Sequence, residues 1–162
     1  MIFIWAEDNN HGIGYKGNLP WHLSSDMRFF KRTTTGNTLV SGSRTFASYG
    51  KPLPHRKNIV LTTNRHKTYP EGVLVLHSVD DLLTYEDHHP DETIYISGGA
   101  KVFASLLPYV DELLRTRIDH EFKVDTYMPD IDYSQFELVS SEAGVVDEKS
   151  PYVHYFEAFK RR

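Results

Sequence analysis

Short apolar runs alternate with helix-like stretches through the first two-thirds of the chain. That alternation limits the possible folds more than any other feature. Residues 2–6, Ile-Phe-Ile-Trp-Ala, are continuously apolar, as a strand covered on both faces must be. Further strands are expected at 38–42, 58–63, 73–77 and 93–97. Between them the pattern predicts a helix over 26–33, with Ser24 and Ser25 as caps and an end near Gly36. Another helix runs through Arg44, Thr45 and Phe46, and a capped one covers 78–87. A fourth follows Gly98-Gly99 and stops at Pro108. The last third reads as strands at 113–119, 136–140 and 152–159. Alternation of strand and helix implies parallel crossovers, and a strand-rich tail implies a closing hairpin. The expectation is an α/β fold: a single domain over 1–162, one mixed, mainly parallel sheet with helices on both faces. Ligands in such folds sit at the carboxyl ends of the strands.

Nothing argues for a second unit, since 162 residues is one domain of ordinary size and no repeat or linker interrupts it. Eighteen Lys plus Arg against 22 Asp plus Glu give a formal charge of −4, a poor basis for binding nucleic acid or an anionic membrane. With no cysteine, disulfides, thiolate metal sites and thiol nucleophiles are excluded, which suits a reducing compartment. The N-terminal apolar run is too short for a signal peptide and lacks a basic lead-in. No stretch approaches the roughly 20 apolar residues needed to span a bilayer. A soluble cytoplasmic protein is expected.

Gly12-Ile13-Gly14-Tyr15-Lys16-Gly17 matches the dinucleotide pattern G-x-G-x-x-G and follows a strand. The pattern needs a helix to open there so that its first amides meet a pyrophosphate. Asn18-Leu19-Pro20 favours a turn instead. A kinase phosphate loop fails as well, because no H-R-D or D-F-G follows. The segment reads as a mobile glycine loop beside a ligand site.

Three constellations can carry chemistry. Asp26 has Leu23, Phe29 and Phe30 at helical spacing, which puts a carboxylate on an apolar face. A dipole-serving Asp is usually solvated, and burying one without a partner is expensive. A ligand presenting an N–H pair, such as an aminopyrimidine edge, is a suitable bidentate partner. Arg56 lies in Lys51-Pro52-Leu53-Pro54-His55-Arg56-Lys57, a turn stiffened by its prolines; it is either a planar carboxylate clamp or part of a solvated basic turn. Two glycine-to-helix junctions, Gly42-Ser43-Arg44-Thr45 and Gly98-Gly99-Ala100-Lys101-Val102, present free amides to phosphate oxygens. With the strand end Leu61-Thr62-Thr63-Asn64-Arg65 they suggest an extended ligand with several phosphates. The nine His are scattered, no H-E-x-x-H occurs, and no metal site is expected. Ser43 lacks the G-x-S-x-G elbow, and Asp80 and Asp81 lie on a solvated helix start.

In combination, Trp5-Ala6, Ile13-Gly14, Leu19-Pro20-Trp21, Asp26 with Phe30, Gly42 with Arg44-Thr45, Pro52-Leu53-Pro54 with Arg56-Lys57-Asn58, Gly98-Gly99, Thr116 and Asp125-Thr126 resemble the dihydrofolate reductases over essentially the whole chain. The resemblance implies an eight-stranded mixed sheet, parallel but for the last strand, with four helices. It implies that Asp26 grips the N3 and 2-amino edge of a pterin and that Thr116 hydrogen-bonds Asp26. Leu19 and Trp21 join these two in the chemistry from the glycine loop. Ile4, Ala6, Met27, Phe30, Leu53 and Ile96 wall the pterin and benzoyl rings, and Arg56 clamps the glutamate α-carboxylate with Lys51 nearby. Ala6, Ile13, Gly14 and Leu19 cover the nicotinamide of NADPH. Gly98-Gly99, joined in this family by a cis peptide, cradles the pyrophosphate with Ser97, Ala100, Lys101, Val102 and Phe103. Gly42, Ser43, Arg44, Thr45, Leu61, Thr62, Thr63 and Arg65 surround the adenosine 2′-phosphate end. Asp125 and Thr126 support the closed glycine loop. Ser43 stands where many members have arginine, so Arg44 and Arg65 must carry that charge. Phe103 and His154 each replace a common tyrosine.

The implied reaction is the reduction of 7,8-dihydrofolate to tetrahydrofolate, with hydride passing from nicotinamide C4 to pterin C6 and a proton to N5. Asp26 cannot reach both the 2-amino edge and N5, so a water is the proton carrier. Burial should raise the pKa of Asp26 in the free enzyme. The alternatives are a pteridine or pyrimidinone reductase of the same fold, which needs no glutamate clamp, a non-catalytic nucleotide-binding module, and a nucleic-acid binder using Arg56, Lys57, Arg65 and Lys67. The net acidity disfavours the last. A monomer acting on a small-molecule substrate is expected.

Overall fold

The computed structural model describes residues 1–162. In chain order the elements are β1 (Ile2–Glu7), β2 (Gly12–Gly14), α1 (Ser24–Thr34), β3 (Thr38–Gly42), α2 (Ser43–Tyr49), β4 (Lys57–Leu61), β5 (Leu74–Leu76), α3 (Val79–His88), β6 (Ile94–Ile96), α4 (Ala100–Leu106), β7 (Glu112–Ile118), β8 (Thr126–Tyr127), β9 (Phe136–Ala143) and β10 (His154–Arg161). Eight strands form one sheet in the order β5-β4-β3-β6-β1-β7-β10-β9. Six neighbouring strands run parallel, and β10 is antiparallel to both β7 and β9. The fold is therefore a single α/β domain with an eight-stranded, mainly parallel sheet and four helices.

The two faces of the sheet carry separate cores. Phe3, Trp5, Val40, Ile59 and Leu113 point to one face, where Leu82 and Tyr85 of α3 and Phe103 and Leu106 of α4 cover them. The Phe103 ring packs against Phe3 at 4.9 Å and Trp5 at 6.0 Å. Ala6 and Ile118 point to the other face and pack with Trp21 and Leu23 at the entry to α1. Phe29 of α1 stacks on Phe156 of β10 at 4.5 Å, which fixes α1 over β7 and β10. Strand side chains alternate between faces, so Ala6, its register partner Thr116, Phe156 and His154 all look toward α1.

The chain departs from the sequence reading in three places. Ser24 and Ser25 do not cap α1. The cap position is Leu23, and the Ser25 hydroxyl turns into the fold instead, where it finds a tertiary partner. Ser78 does cap α3, accepting from the Asp81 amide at 3.0 Å. The glycine loop also contains β2, which pairs with β8 in a separate two-stranded ribbon. That pairing joins residues more than 110 positions apart, so no local pattern announces it. Finally, strand ends shift by one to three residues; β9 extends to Ala143 and β10 runs from His154 to Arg161, because cross-strand partners set their limits.

Candidate active site

Asp26 sits in the first turns of α1, where the helix crosses β7. Thr116 donates from its Oγ1 to Asp26 Oδ1 at 2.6 Å. Thr116 is 1% exposed, so its hydroxyl has no water to prefer. No protein donor reaches Asp26 Oδ2. Burial pushes the Asp26 pKa up, while the Thr116 hydrogen bond and the nearby His154 ring pull it partly back. Helix α1 thus carries a carboxylate held by one hydroxyl, with its second oxygen left for something else. Trp21 belongs to the cluster that contains Ala6, and its buried indole N–H meets no protein acceptor. A buried donor without a partner is rare and costly, and it marks a place where a polar ligand atom or water fits.

Arg56 reaches back toward the same helix. Its Nε donates to the Pro54 carbonyl at 2.9 Å and its Nη1 to Thr34 Oγ1 at 3.2 Å, which leaves the other guanidinium N–H groups free. Asn58 fixes the turn, accepting from the Leu53 amide and donating to the carbonyls of Leu53 and Arg56. A polar cavity of about 470 Å³ opens beside Arg56, lined also by His55, Lys57, Asp91 and Glu92, with no hydrophobic residue in its wall. Asp26 is not part of that lining, and an all-polar wall does not suit a flat heterocycle. The cavity therefore extends the Arg56 end and is not the seat of the ring.

Tyr49, which sequence reasoning passed over, ends α2 with its hydroxyl 2.9 Å from Ser97 Oγ. Burial pushes its pKa up, and Arg56 is near enough to oppose this. A hydrogen bond between the ends of α2 and β6 has no local sequence signal.

The two glycine junctions lie side by side. β3 and β6 are neighbours, and the Gly42 amide donates to the Gly98 carbonyl at 2.7 Å. A Cβ on Gly42 would stand 2.9 Å from Val102 Cγ2, and one on Gly98 would stand 3.0 Å from the Phe103 ring, at φ +113°. The Gly98–Gly99 bond is cis. Neither α2 nor α4 has a side chain capping its first turn, so their leading amides are unclaimed. β4 follows on beyond β3, which puts Thr62, Thr63 and Arg65 in the same row of strand ends. Arg44, Thr63, Arg65 and Lys101 are exposed there; Ser43, Thr45, Thr62, Ala100 and Val102 are half-buried.

The glycine loop is pinned at its base and free at its tip. Asp8 accepts from the amides of Asn10, Gly12 and Phe122. Glu7, 2% exposed, accepts from Trp5 Nε1 at 2.8 Å and pairs with His11 Nδ1. Glu7 lies one residue beyond the expected strand 2–6, and it closes β1 there as a buried anchor. The Glu7–His11 spacing of four is the only sequence trace of it. Asp125 accepts from the Lys16 amide at 2.9 Å, which holds its carboxyl below the usual range, and its own amide donates to the Gly14 carbonyl. Leu19 at the tip is 56% exposed.

Two expected contact residues need correcting. Ile96 has no exposed surface and belongs to the core beneath the strand ends, so it supports the wall and does not form it. Phe103 is 1% exposed and packs under Gly98 against Phe3 and Trp5, which leaves it no face for a cofactor. Met27, at 53%, stands largely in solvent, and Lys51 is exposed on its turn. Ile4 and Ala6 are nearly buried; Phe30 and Leu53 are half-buried along the cleft side of α1 and the proline turn. No three His, Asp or Glu side chains converge as a metal site, and no helix is long and apolar enough to cross a membrane.

A family model described as dihydrofolate reductase matches residues 1–161. The chain is 43% identical over 162 residues to the dihydrofolate reductase of Enterococcus faecium, covering 99% of this chain and 96% of the relative. It is 41% identical to that of Bacillus subtilis (strain 168), covering 100% and 95%. Among solved structures, the dihydrofolate reductase from Enterococcus faecalis complexed with NADP(H) and RAB-propyl superposes with a TM-score of 0.93 at 47% identity, covering 99% of this chain and 95% of that one.

Proposed function

The chain belongs to the dihydrofolate reductase family, and from that membership we infer that it reduces 7,8-dihydrofolate to 5,6,7,8-tetrahydrofolate at the expense of NADPH. The single observation that carries the residue assignments is the Asp26 carboxylate held on one side by Thr116 at 2.6 Å, with its other oxygen unpartnered. An aminopyrimidine edge presents two parallel N–H groups, and such a pair completes the bonding of this carboxylate.

The residues present suit the cofactor. At the paired glycine junctions Val102 and Phe103 pack where a Cβ on Gly42 or Gly98 would stand, so only glycine fits and the backbone lies bare, and the leading amides of α2 and α4 carry no side-chain cap. Ser97, Gly98, Gly99, Ala100, Lys101 and Val102 would hold the pyrophosphate. Arg44 and Arg65, both exposed at neighbouring strand ends, would hold the 2′-phosphate with Ser43, Thr45, Leu61, Thr62 and Thr63 around them. Ala6, Ile13, Gly14 and Leu19 would cover the nicotinamide, with Thr126 bracing the loop from behind. When bound, NADPH supplies the hydride that ends on pterin C6.

The protein's own residues position and polarise. Asp26 binds the 2-amino edge and stabilises the positive charge that develops as N5 gains its proton. It cannot span to N5 as well, so a water carries the proton, and the free indole N–H of Trp21 offers that side of the site a donor. Phe30, Leu53, Ile4 and Ala6 exclude bulk water from the rings, which strengthens every charge interaction there. Arg56 takes the α-carboxylate of the substrate tail, with Lys51 nearby. The tip of the glycine loop, including Leu19, closes over the site while Asp8, Glu7 and Asp125 keep its base fixed.

The absence of cysteine suits a reducing compartment and the net charge of −4 suits a small-molecule substrate over nucleic acid. We read the protein as a cytoplasmic monomer. The test is the spectrophotometric assay. Absorbance at the nicotinamide band should fall only when dihydrofolate and NADPH are both present. No fall with dihydrofolate at any concentration would remove the assignment.

A further inference from the structure

His154 opens β10 and is completely buried. Its Nδ1 donates to the Tyr152 carbonyl at 2.7 Å, and its Nε2 stands 2.9 Å from the hydroxyl of Ser25. A backbone carbonyl can only accept, so Nδ1 carries a hydrogen in every state of the ring. Nε2 then has two options. In the neutral ring it accepts from Ser25; in the charged ring it donates to Ser25. Ser25 is the residue before Asp26, in the first turn of α1, and its amide is held by Ser150 Oγ at 2.9 Å. The Ser24 amide is held in the same way by the Lys149 carbonyl at 3.0 Å.

The ring cannot move away from this position. Phe156 meets it edge-on at 5.3 Å, and Gly144 closes over it so tightly that a Cβ on Gly144 would overlap the imidazole. The Gly144 amide donates to the His154 carbonyl at 2.9 Å. His154 and Thr116 look to the same face of the sheet from adjacent strands, two register positions apart. The groups facing Asp26 are thus Thr116 from β7 and His154 from β10. Segment 147–152 brings the Tyr152 carbonyl to the ring, the Ser150 hydroxyl to the Ser25 amide and the Lys149 carbonyl to the Ser24 amide. Neither Asp26 nor His154 joins any close ion pair.

We propose that His154 is a positioning residue for the reaction. Through Ser25 it fixes the first turn of α1, and so the placement of the Asp26 carboxyl against Thr116. The inference rests on the role given to Asp26 above. The ring also lies near enough to act on Asp26, and the direction of its effect there is downward, toward the carboxylate.

The test is the pH profile of dihydrofolate reduction, together with the carbon-13 titration of the Asp26 carboxyl in the whole enzyme, for His154→Gln and Ser25→Ala. The Asp26→Asn variant identifies the resonance. Glutamine keeps a bond to Ser25 but not the ring and its downward effect on Asp26, so proton affinity at Asp26 should rise about threefold or more. Ser25→Ala keeps the ring and frees the helix turn; kcat should fall severalfold with KM little changed, and the same carboxyl titration should shift. Should His154→Gln fail to fold, Ser25→Ala carries the test alone. An Asp26 titration unmoved in the folded variants overturns the proposal, even if kcat drops. Full activity in Asp26→Asn would instead overturn the role of Asp26 itself, which keeps the two failures apart.

Discussion

The two ends of the cleft are built from different materials. On the function proposed above, side chains do the holding at the substrate end: Asp26 and Thr116 meet at 2.6 Å, and Arg56 is braced on Thr34 at 3.2 Å. At the cofactor end backbone does it: Gly42 and Gly98 share an amide–carbonyl bond of 2.7 Å, and the helices that follow leave their first amides open. A side-chain site concentrates its effect in a few atoms, so one substitution can abolish it. A backbone site spreads its effect over many amides that no substitution deletes, so it is damaged mainly by adding atoms where only glycine fits.

The largest effect should therefore come at the substrate end. Asp26→Asn keeps the shape but removes the charge, and kcat should fall about a hundredfold or more, measured in steady-state assays at neutral pH. Near-normal turnover would erase the contrast between the two ends. Arg56→Leu comes next. KM for dihydrofolate should rise about thirtyfold, roughly 2 kcal/mol, with kcat little changed. A rise no larger than that for a substrate lacking the glutamate tail would mean the clamp is not a carboxylate clamp.

At the cofactor end, Gly98→Ala tests addition in place of removal. Its φ of +113° is one that L side chains avoid, and the new Cβ would press on Phe103 at 3.0 Å. Unfolding by denaturant should show a loss of about 1–3 kcal/mol, with weaker NADPH binding. The smallest effect belongs to Arg44→Ala. An exposed ion pair contributes about 1 kcal/mol, so NADPH affinity should drop about fivefold by fluorescence titration while NADH affinity holds. Equal loss for both cofactors would show that Arg44 does not read the 2′-phosphate.

The same division governs what the sequence discloses. Glycine after a strand and before a helix is a local signal, so the junctions at Gly42 and Gly98 could be read in advance. So could Asp26, because Leu23, Phe29 and Phe30 lie within one helical turn of it. The strand–helix alternation foretold the parallel part of the sheet for the same reason. What escaped detection depends on distance along the chain. Ser25 has the composition of a cap, but a ring 129 residues later takes its hydroxyl. Tyr49 meets Ser97 48 residues on. The β2–β8 ribbon joins Gly12 to Tyr127, and neither partner reads as a strand alone. The resemblance placed Ile96 and Phe103 against ligands, yet strand alternation and the Gly98 turn send them into the core.

The central claim is that the fold keeps Asp26 where its charge is disfavoured, so that a ligand can use it. Burial raises the folded-state pKa of Asp26 above its ordinary carboxylate value. The folded state therefore holds the proton more tightly than the unfolded chain. This penalty is absent below the ordinary carboxylate pKa, grows as pH rises toward the folded pKa, and is complete above it. Chemical denaturation of the parent and of Asp26→Asn across this range measures it directly. The asparagine variant should be the more stable at pH 7, with the gap closing as the pH approaches 4. If the parent is equally stable or more stable at pH 7, Asp26 is not held under strain and the account of the cleft fails.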